Sequence, residues 1–250
     1  MLGTSGVVEP MSSQALLDTI RLELNMRHAQ NSQVAAVSPG NYGIDFMKET
    51  YGYDLDASVK CSNFIGETID MAVECGFEKM LLTGHIGKLV KVSGGIMNTH
   101  SREADCRVEL LVAAGLRAGV SRDNLMKILD SATTTEAIAY LEEEKMTKPV
   151  MDYLMERIIY YTNKRAGGKM KIECILYDNQ YGELAKKRRC RGIFIMSCSM
   201  KMLLLTGQPF NKSRKSPASI AKSNKQWVGT CLYQEGDKPL LINCEAVIWL

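Results

Sequence analysis

The chain has 250 residues, 46% of them apolar, and carries 31 Lys and Arg against 28 Asp and Glu. That is enough apolar material for one large domain or two small ones, and it excludes wholesale disorder. No apolar run approaches the roughly 20 residues a bilayer span needs, and the N-terminus lacks the basic-then-apolar order of a signal peptide, so a cytoplasmic protein is expected.

Charge is divided along the chain. Residues 1–183 carry 19 Lys and Arg against 25 Asp and Glu, whereas residues 184–250 carry 12 against 3. No acidic residue occurs between Leu184 and Gln234. The eight cysteines form no CxxC pair, which favours reduced core thiols over disulfides or zinc.

In chain order, "GTSGVVEPMSS" at 3–13 reads as a glycine-bearing loop, and Ser12 or Ser13 then caps a helix carrying Leu16, Leu17, Ile20 and Leu24 on one side. Val34–Val37 is a short apolar strand running into "SPGNYG". "FMKETYG" is read as helical. Residues 57–61 form a strand, Ser62-Asn63 a loop and about 64–75 a helix stopped by Gly76. Residues 79–83 form a strand followed by a glycine loop, "GHIGK", and "KLVKVSGGIMN" starts a helix. An amphipathic helix over "READCRVELLVAAGLRAG" and three further helices lead to a last strand at 170–177.

Strands alternating with helices predict an α/β fold with a mainly parallel sheet flanked by helices, of Rossmann-like kind. In such sheets ligands bind beyond the carboxyl ends of the strands. The loops at 38–43, 62–66 and 84–88 all follow strands, so they are expected to converge on one edge.

The stretch Leu81–Ser101 is densest in chemistry: two of the three histidines, four glycines, Lys88, Lys91 and Asn98. "GHIGK" fails the phosphate-loop pattern, which needs four residues between its glycines and a hydroxyl after the lysine. Glycines at a helix start still let backbone N–H groups approach an anion, and Lys88 and Lys91 add charge one turn apart. An ordinary tight strand-to-helix turn with solvated lysines explains the pattern as well. His85 and His100 have no metal-ligand spacing; they are either proton-transfer or carboxylate-pairing groups, or satisfied polar residues. Asn98 and Ser101 either bind a ligand or cap the helix that follows.

"GTSGVVEPMS", "PGNYG", "VKCSNFIGE", "GHIGKLVKVSGGIMNTHSREAD" and "LYDNQYGEL" together resemble the C-terminal part of the CbiD family, the cobalt-precorrin-5B C1-methyltransferases of anaerobic cobalamin biosynthesis. The resemblance covers residues 1–184. It implies methyl transfer from S-adenosylmethionine to carbon 1 of a cobalt-bearing tetrapyrrole, cobalt-precorrin-5B, with the cobalt held by the substrate and no metal held by the protein. It also implies an N-terminal α+β domain ahead of residue 1, a homo-oligomer being left open. Residues 185–250 do not resemble the family; a disordered basic tail or a frameshift product accounts for the lost resemblance together with the lost acids.

For such a substrate, His85 and His100 are the candidate catalytic residues, and Lys88, Lys91, Asn98 and Ser101 the candidates for holding it. Gly3, Thr4, Ser5, Gly6, Gly40, Asn41, Asn63, Gly84 and Gly87 are candidates for the methyl donor, chosen for their strand-end positions. Two other readings stand beside this one: a truncated, non-catalytic remnant that binds tetrapyrrole or cofactor, and, ranked last, nucleic-acid binding through the basic tail, which lacks aromatic–basic alternation.

Overall fold

A computed structural model describes residues 12–40, 48, 50, 58–186, 227–235 and 238–246. They fall into two compact units, Met1–Leu204 and Leu205–Leu250. In the first, a five-stranded sheet has the order β2-β1-β3-β4-β5, from β1 (Val34–Ser38), β2 (Val59–Lys60), β3 (Lys79–His85), β4 (Lys171–Asp178) and β5 (Gly182–Lys186). The first four strands are parallel; β5 turns back antiparallel on β4. The helices are α1 (Ser13–Ala29), α2 (Ile65–Glu74), α3 (Ile86–Ser93), α4 (Arg107–Ala118), α5 (Arg122–Leu129), α6 (Thr134–Glu143) and α7 (Thr147–Arg165). In the second unit, β6 (Trp227–Glu235) and β7 (Lys238–Ala246) pair as an antiparallel hairpin, an element not expected in the basic tail.

The expected α/β architecture is present. Short apolar runs, buried almost end to end in β3 and β4, drive it: Ala35, Val37, Met80, Leu82, Ile172, Cys174 and Leu176 join one buried cluster with Ile65, Ile69, Leu89, Val90, Leu154 and Ile158 from the helices. Local signals set the helix ends. Ser12 accepts from the Ala15 amide and caps α1. Gly76, at φ +86°, ends α2; its amide reaches the Val73 carbonyl and the Phe77 amide reaches Ala72, the paired bonds a left-handed glycine makes possible.

Two expectations are corrected. "GHIGK" is not a loop: β3 continues through Gly84 and His85, and α3 starts at Ile86. Gly84 serves packing, since a methyl there would lie 2.9 Å from Leu89 Cγ. The helix expected from "READC" begins at Arg107, beyond those residues. "FMKETYG" lies largely outside the described residues.

The chain leaves β1 to one side to make β2, then returns past β1 to make β3. The carboxyl ends of β1 and β3 therefore diverge at a topological switch point, where an open parallel sheet forms its crevice.

Candidate functional site

A cleft of about 300 Å³ lies at that switch point. Pro39 and Gly40 after β1, His85, Gly87 and Lys88 at the β3–α3 junction, Arg107 at the start of α4, Thr133, Thr134 and Thr135 at the start of α6, and Tyr177 near the end of β4 line it. Of the three loops expected to converge, those at 38–43 and 84–88 meet here through Pro39, Gly40, His85, Gly87 and Lys88; 62–66 does not line the cleft and is reached only through the Ser62 carbonyl, and 41–43 lie outside the described residues. Gly40, a donor-site candidate, thus lies with Lys88, a substrate candidate.

His85 anchors the cleft. It is the N-cap of α3, and its Nδ1 accepts from the Gly87 amide at 3.1 Å. Nδ1 is therefore unprotonated and the ring proton sits on Nε2, 3.3 Å from Asp178 Oδ2. Asp178 is 1% exposed. Its Oδ2 also accepts from Thr135 Oγ1 at 2.9 Å, and its Oδ1 accepts from the amides of Gln180 and Tyr181. Burial pulls the His85 imidazole below its ordinary value, against the charge of Asp178. Both ring nitrogens of this cleft-lining residue are engaged within the chain.

Lys88 supplies the cation. Its Nζ donates to the Pro39 carbonyl at 2.6 Å and the Ser62 carbonyl at 3.3 Å, tying the ends of β1 and β2 to α3. Burial lowers its pKa, with Cys61 pulling the other way. Cys61 is fully buried and its thiol is pushed up to about 12 by loss of solvent; it is a core residue. Burial likewise pushes the Tyr177 hydroxyl up to about 12. Arg107 grips Asp105 through Nε and Nη2, at 2.6 and 2.9 Å.

The stretch 84–101 splits here. Lys91, although one turn from Lys88, is only 3% exposed. Its ammonium donates to the carbonyls of Thr99 and Ala104 and lies 3.7 Å from Asp105. It holds the 99–105 loop and does not line the cleft. Asn98 accepts from the His100 amide, and His100 Nδ1 accepts from the Arg102 amide. His100 and Ser101 are exposed in this turn. Asn63 stands beside it, accepting the Thr99 amide on its carbonyl at 2.9 Å. Gly3, Thr4, Ser5, Gly6 and Asn41 lie outside the described residues.

Sequence reasoning missed Asp178, Arg107 and the Thr133–Thr135 run. Asp178 ends the fourth parallel strand, so the strand-end rule that singled out the first three reaches it as well.

Residues 98–188 match the family described as "CbiD, C-terminal domain". Residues 98–188 carry a CbiD C-terminal domain. Cobalt-precorrin-5B C(1)-methyltransferase of Ruminiclostridium cellulolyticum is 46% identical over 184 residues, which are 74% of this chain and 48% of that protein. The proteins of the same name from Alkaliphilus metalliredigens and Methanocaldococcus jannaschii are 40% and 36% identical, over 74% of this chain and 49% and 50% of their own length. The chain thus spans about half the length of the relatives it matches. No solved structure matches it. Arg107, Thr133–Thr135, Tyr177 and Asp178 fall inside the CbiD match, whereas Pro39, Gly40, His85, Gly87 and Lys88 precede it. Among the described residues, no helix is long and apolar enough to cross a membrane, and no group of three or more His, Cys, Asp or Glu could hold a metal.

Proposed function

We propose that this chain supplies the ligand-binding α/β half of a cobalt-precorrin-5B C1-methyltransferase, with S-adenosylmethionine as methyl donor, acting in the cytoplasm. The observation that carries the reading is the cleft at the β1/β3 switch point of a chain with a CbiD C-terminal domain. At about 300 Å³ it sits at the low end of the roughly 300–1,000 Å³ of small-molecule sites. That suits the donor or one arm of a tetrapyrrole and is too small for the whole macrocycle, which then lies across the mouth against a second wall.

Bound S-adenosylmethionine supplies an electrophilic methyl group, so the protein's task is alignment rather than covalent chemistry. Lys88 repels the sulfonium and attracts the donor's carboxylate, which directs the methyl outward to the mouth. Gly40 and Gly87 leave the walls low enough for close approach. His85, held by Asp178 and Gly87, fixes the start of α3 and hence Lys88.

The test is titration of the full chain with S-adenosylmethionine, then turnover with cobalt-precorrin-5B, with and without the remaining half of the Ruminiclostridium relative in trans. Donor binding by the chain and methylation of the macrocycle only with the added half are expected. No donor binding in either condition refutes the reading. The half-length match also supports a second reading, a chain that binds without turnover; methylation failing with the added half while binding persists selects it.

A further inference from the structure

We propose that the strand-edge cleft is a carboxylate pocket, in which one ligand carboxylate sits between Lys88 Nζ, the Arg107 guanidinium and the Thr134–Thr135 start of α6. This rests on the ligand-binding reading above and names the group that the cleft grips.

The first ground is Lys88. An ammonium has three donors, and two go to the neutral carbonyls of Pro39 and Ser62. No carboxylate among the described residues pairs with it. A partly buried charge ordinarily has a counter-charge, and the face of Lys88 that lines the cleft is where one fits. The second ground is Arg107, which reaches the cleft from a different helix. Asp105 takes Nε and Nη2, and a guanidinium has five N–H groups, so donors remain for a ligand.

Among the described residues, the acids nearby do not compete. Asp178 already accepts from Thr135, His85 and two backbone amides, and Asp105 is spent on Arg107 and Lys91. Among the described residues, Lys88, Lys91 and Arg107 stand against Asp105 and Asp178, which leaves one positive charge around the cleft and matches a monoanionic carboxylate better than a phosphate dianion. The shape agrees. A methyl on Gly87 would stand 3.3 Å from His85 Nδ1 and 3.7 Å from Thr134 Oγ1, so glycine there keeps open the space between Lys88 and α6. At that helix start, Thr133 Oγ1 takes the Glu136 amide and the Thr133 carbonyl takes Ala137. The amides of Thr134 and Thr135 precede the intrahelical ladder and add donors.

Two sources carry such a group: the amino-acid end of the methyl donor and the acid arms of the macrocycle. Matched pairs separate them. The full chain is titrated with S-adenosylmethionine and its decarboxylated analogue, and with a cobalt corrin polycarboxylic acid and its methyl ester. Sodium acetate and succinate are followed through the amide resonances of Gly87, Thr134 and Thr135. Acid forms are expected to bind at least tenfold tighter than the partners lacking a free carboxylate in one pair, the pair identifying the source. Lys88→Met is expected to erase the difference and Lys88→Arg to restore part of it; Arg107→Gln serves where Lys88→Met alters the thermal midpoint. Equal binding of both members in both pairs overturns the pocket while leaving the methyltransferase reading intact. Acetate and succinate shifting those amides, with neither donor nor corrin binding, upholds the pocket and removes that reading. No shift and no binding by any probe overturns the pocket.

Discussion

Replacing Asp178 with alanine removes the centre of the site's support. The carboxylate is 1% exposed and accepts four hydrogen bonds: from Gln180 N at 2.8 Å, Thr135 Oγ1 at 2.9 Å, and Tyr181 N and His85 Nε2 at 3.3 Å each. Alanine leaves these donors without an acceptor in a space that water does not readily reach. A single buried donor left unsatisfied costs about 1–3 kcal/mol, and breaking a buried charged pair about 3–5 kcal/mol. The longer bonds are the weaker ones, and the turn amides can relax toward solvent. The expected loss is therefore about 3–5 kcal/mol, a third or more of the stability of an ordinary domain. The assay is urea denaturation at pH 7, with an unchanged slope confirming that stability alone has moved; the thermal midpoint falls by on the order of 10 °C. Asp178→Asn keeps one acceptor oxygen and costs about half as much. Thr135→Val removes one bond and costs about 1 kcal/mol, and its effect is expected to be largely absent in the Asp178→Ala background. A cost below about 1 kcal/mol for Asp178→Ala would refute the reasoning, because the carboxylate would then not be what orders the turn and His85.

Four further outcomes are expected. The folded-state pKa of His85 is lowered, so below its ordinary 6.5 the unfolded chain binds a proton that the fold refuses; stability is full above 6.5 and is lost as pH falls through the folded value. The urea midpoint between pH 7.5 and 5 is expected to drop less in His85→Asn, which keeps a capping oxygen; equal drops would assign the effect elsewhere. Gly66→Ala places a methyl 2.7 Å from Met97 Cβ and is expected to cost about 1–3 kcal/mol, whereas a change within about 0.5 kcal/mol, as at an open surface, would show that the contact yields. Lys91→Met leaves the Thr99 and Ala104 carbonyls unpaired and costs about 1–3 kcal/mol; unaltered hydrogen exchange over 99–106 would contradict its role in holding that loop. Cys61 and Cys174 are buried whereas Cys75 and Cys106 are partly accessible, so peptide mapping after brief maleimide treatment is expected to find Cys75 and Cys106 labelled before Cys61 and Cys174, and early label on Cys61 would contradict its burial.

The sheet was legible because its strands are carried by short apolar runs, Val34–Val37 and Met80–Thr83, bounded by helix caps such as Ser12 and Gly76. β5 was not, because "GELAK" is half polar and its partner is set by a turn around Asp178 and Gly182 (φ +69°) rather than by its own pattern. Within the site, His85 and Lys88 were legible as residues beside a strand end, but their duties were not. Whether an imidazole nitrogen faces a ligand depends on Asp178, 93 positions away in the chain, and on a Gly87 amide whose direction depends on α3 starting at once. Lys88 and Lys91 look equivalent in sequence. Three positions of helical rotation separate them by enough to send one to the cleft and bury the other under the 99–105 loop.

The β3–α3 junction has a mechanical consequence. No residue intervenes between the last paired strand position, His85 opposite Tyr177, and the first residue of α3. A joint without slack cannot hinge: swinging α3 about its start would tear the final rung of the central ladder and expose Leu89 and Val90. Lys88, less than one turn in, is carried as if on a bracket bolted to the sheet. Any breathing that admits and releases a ligand then falls to the opposite wall, the Thr133–Thr135 corner, while the cation keeps a fixed address.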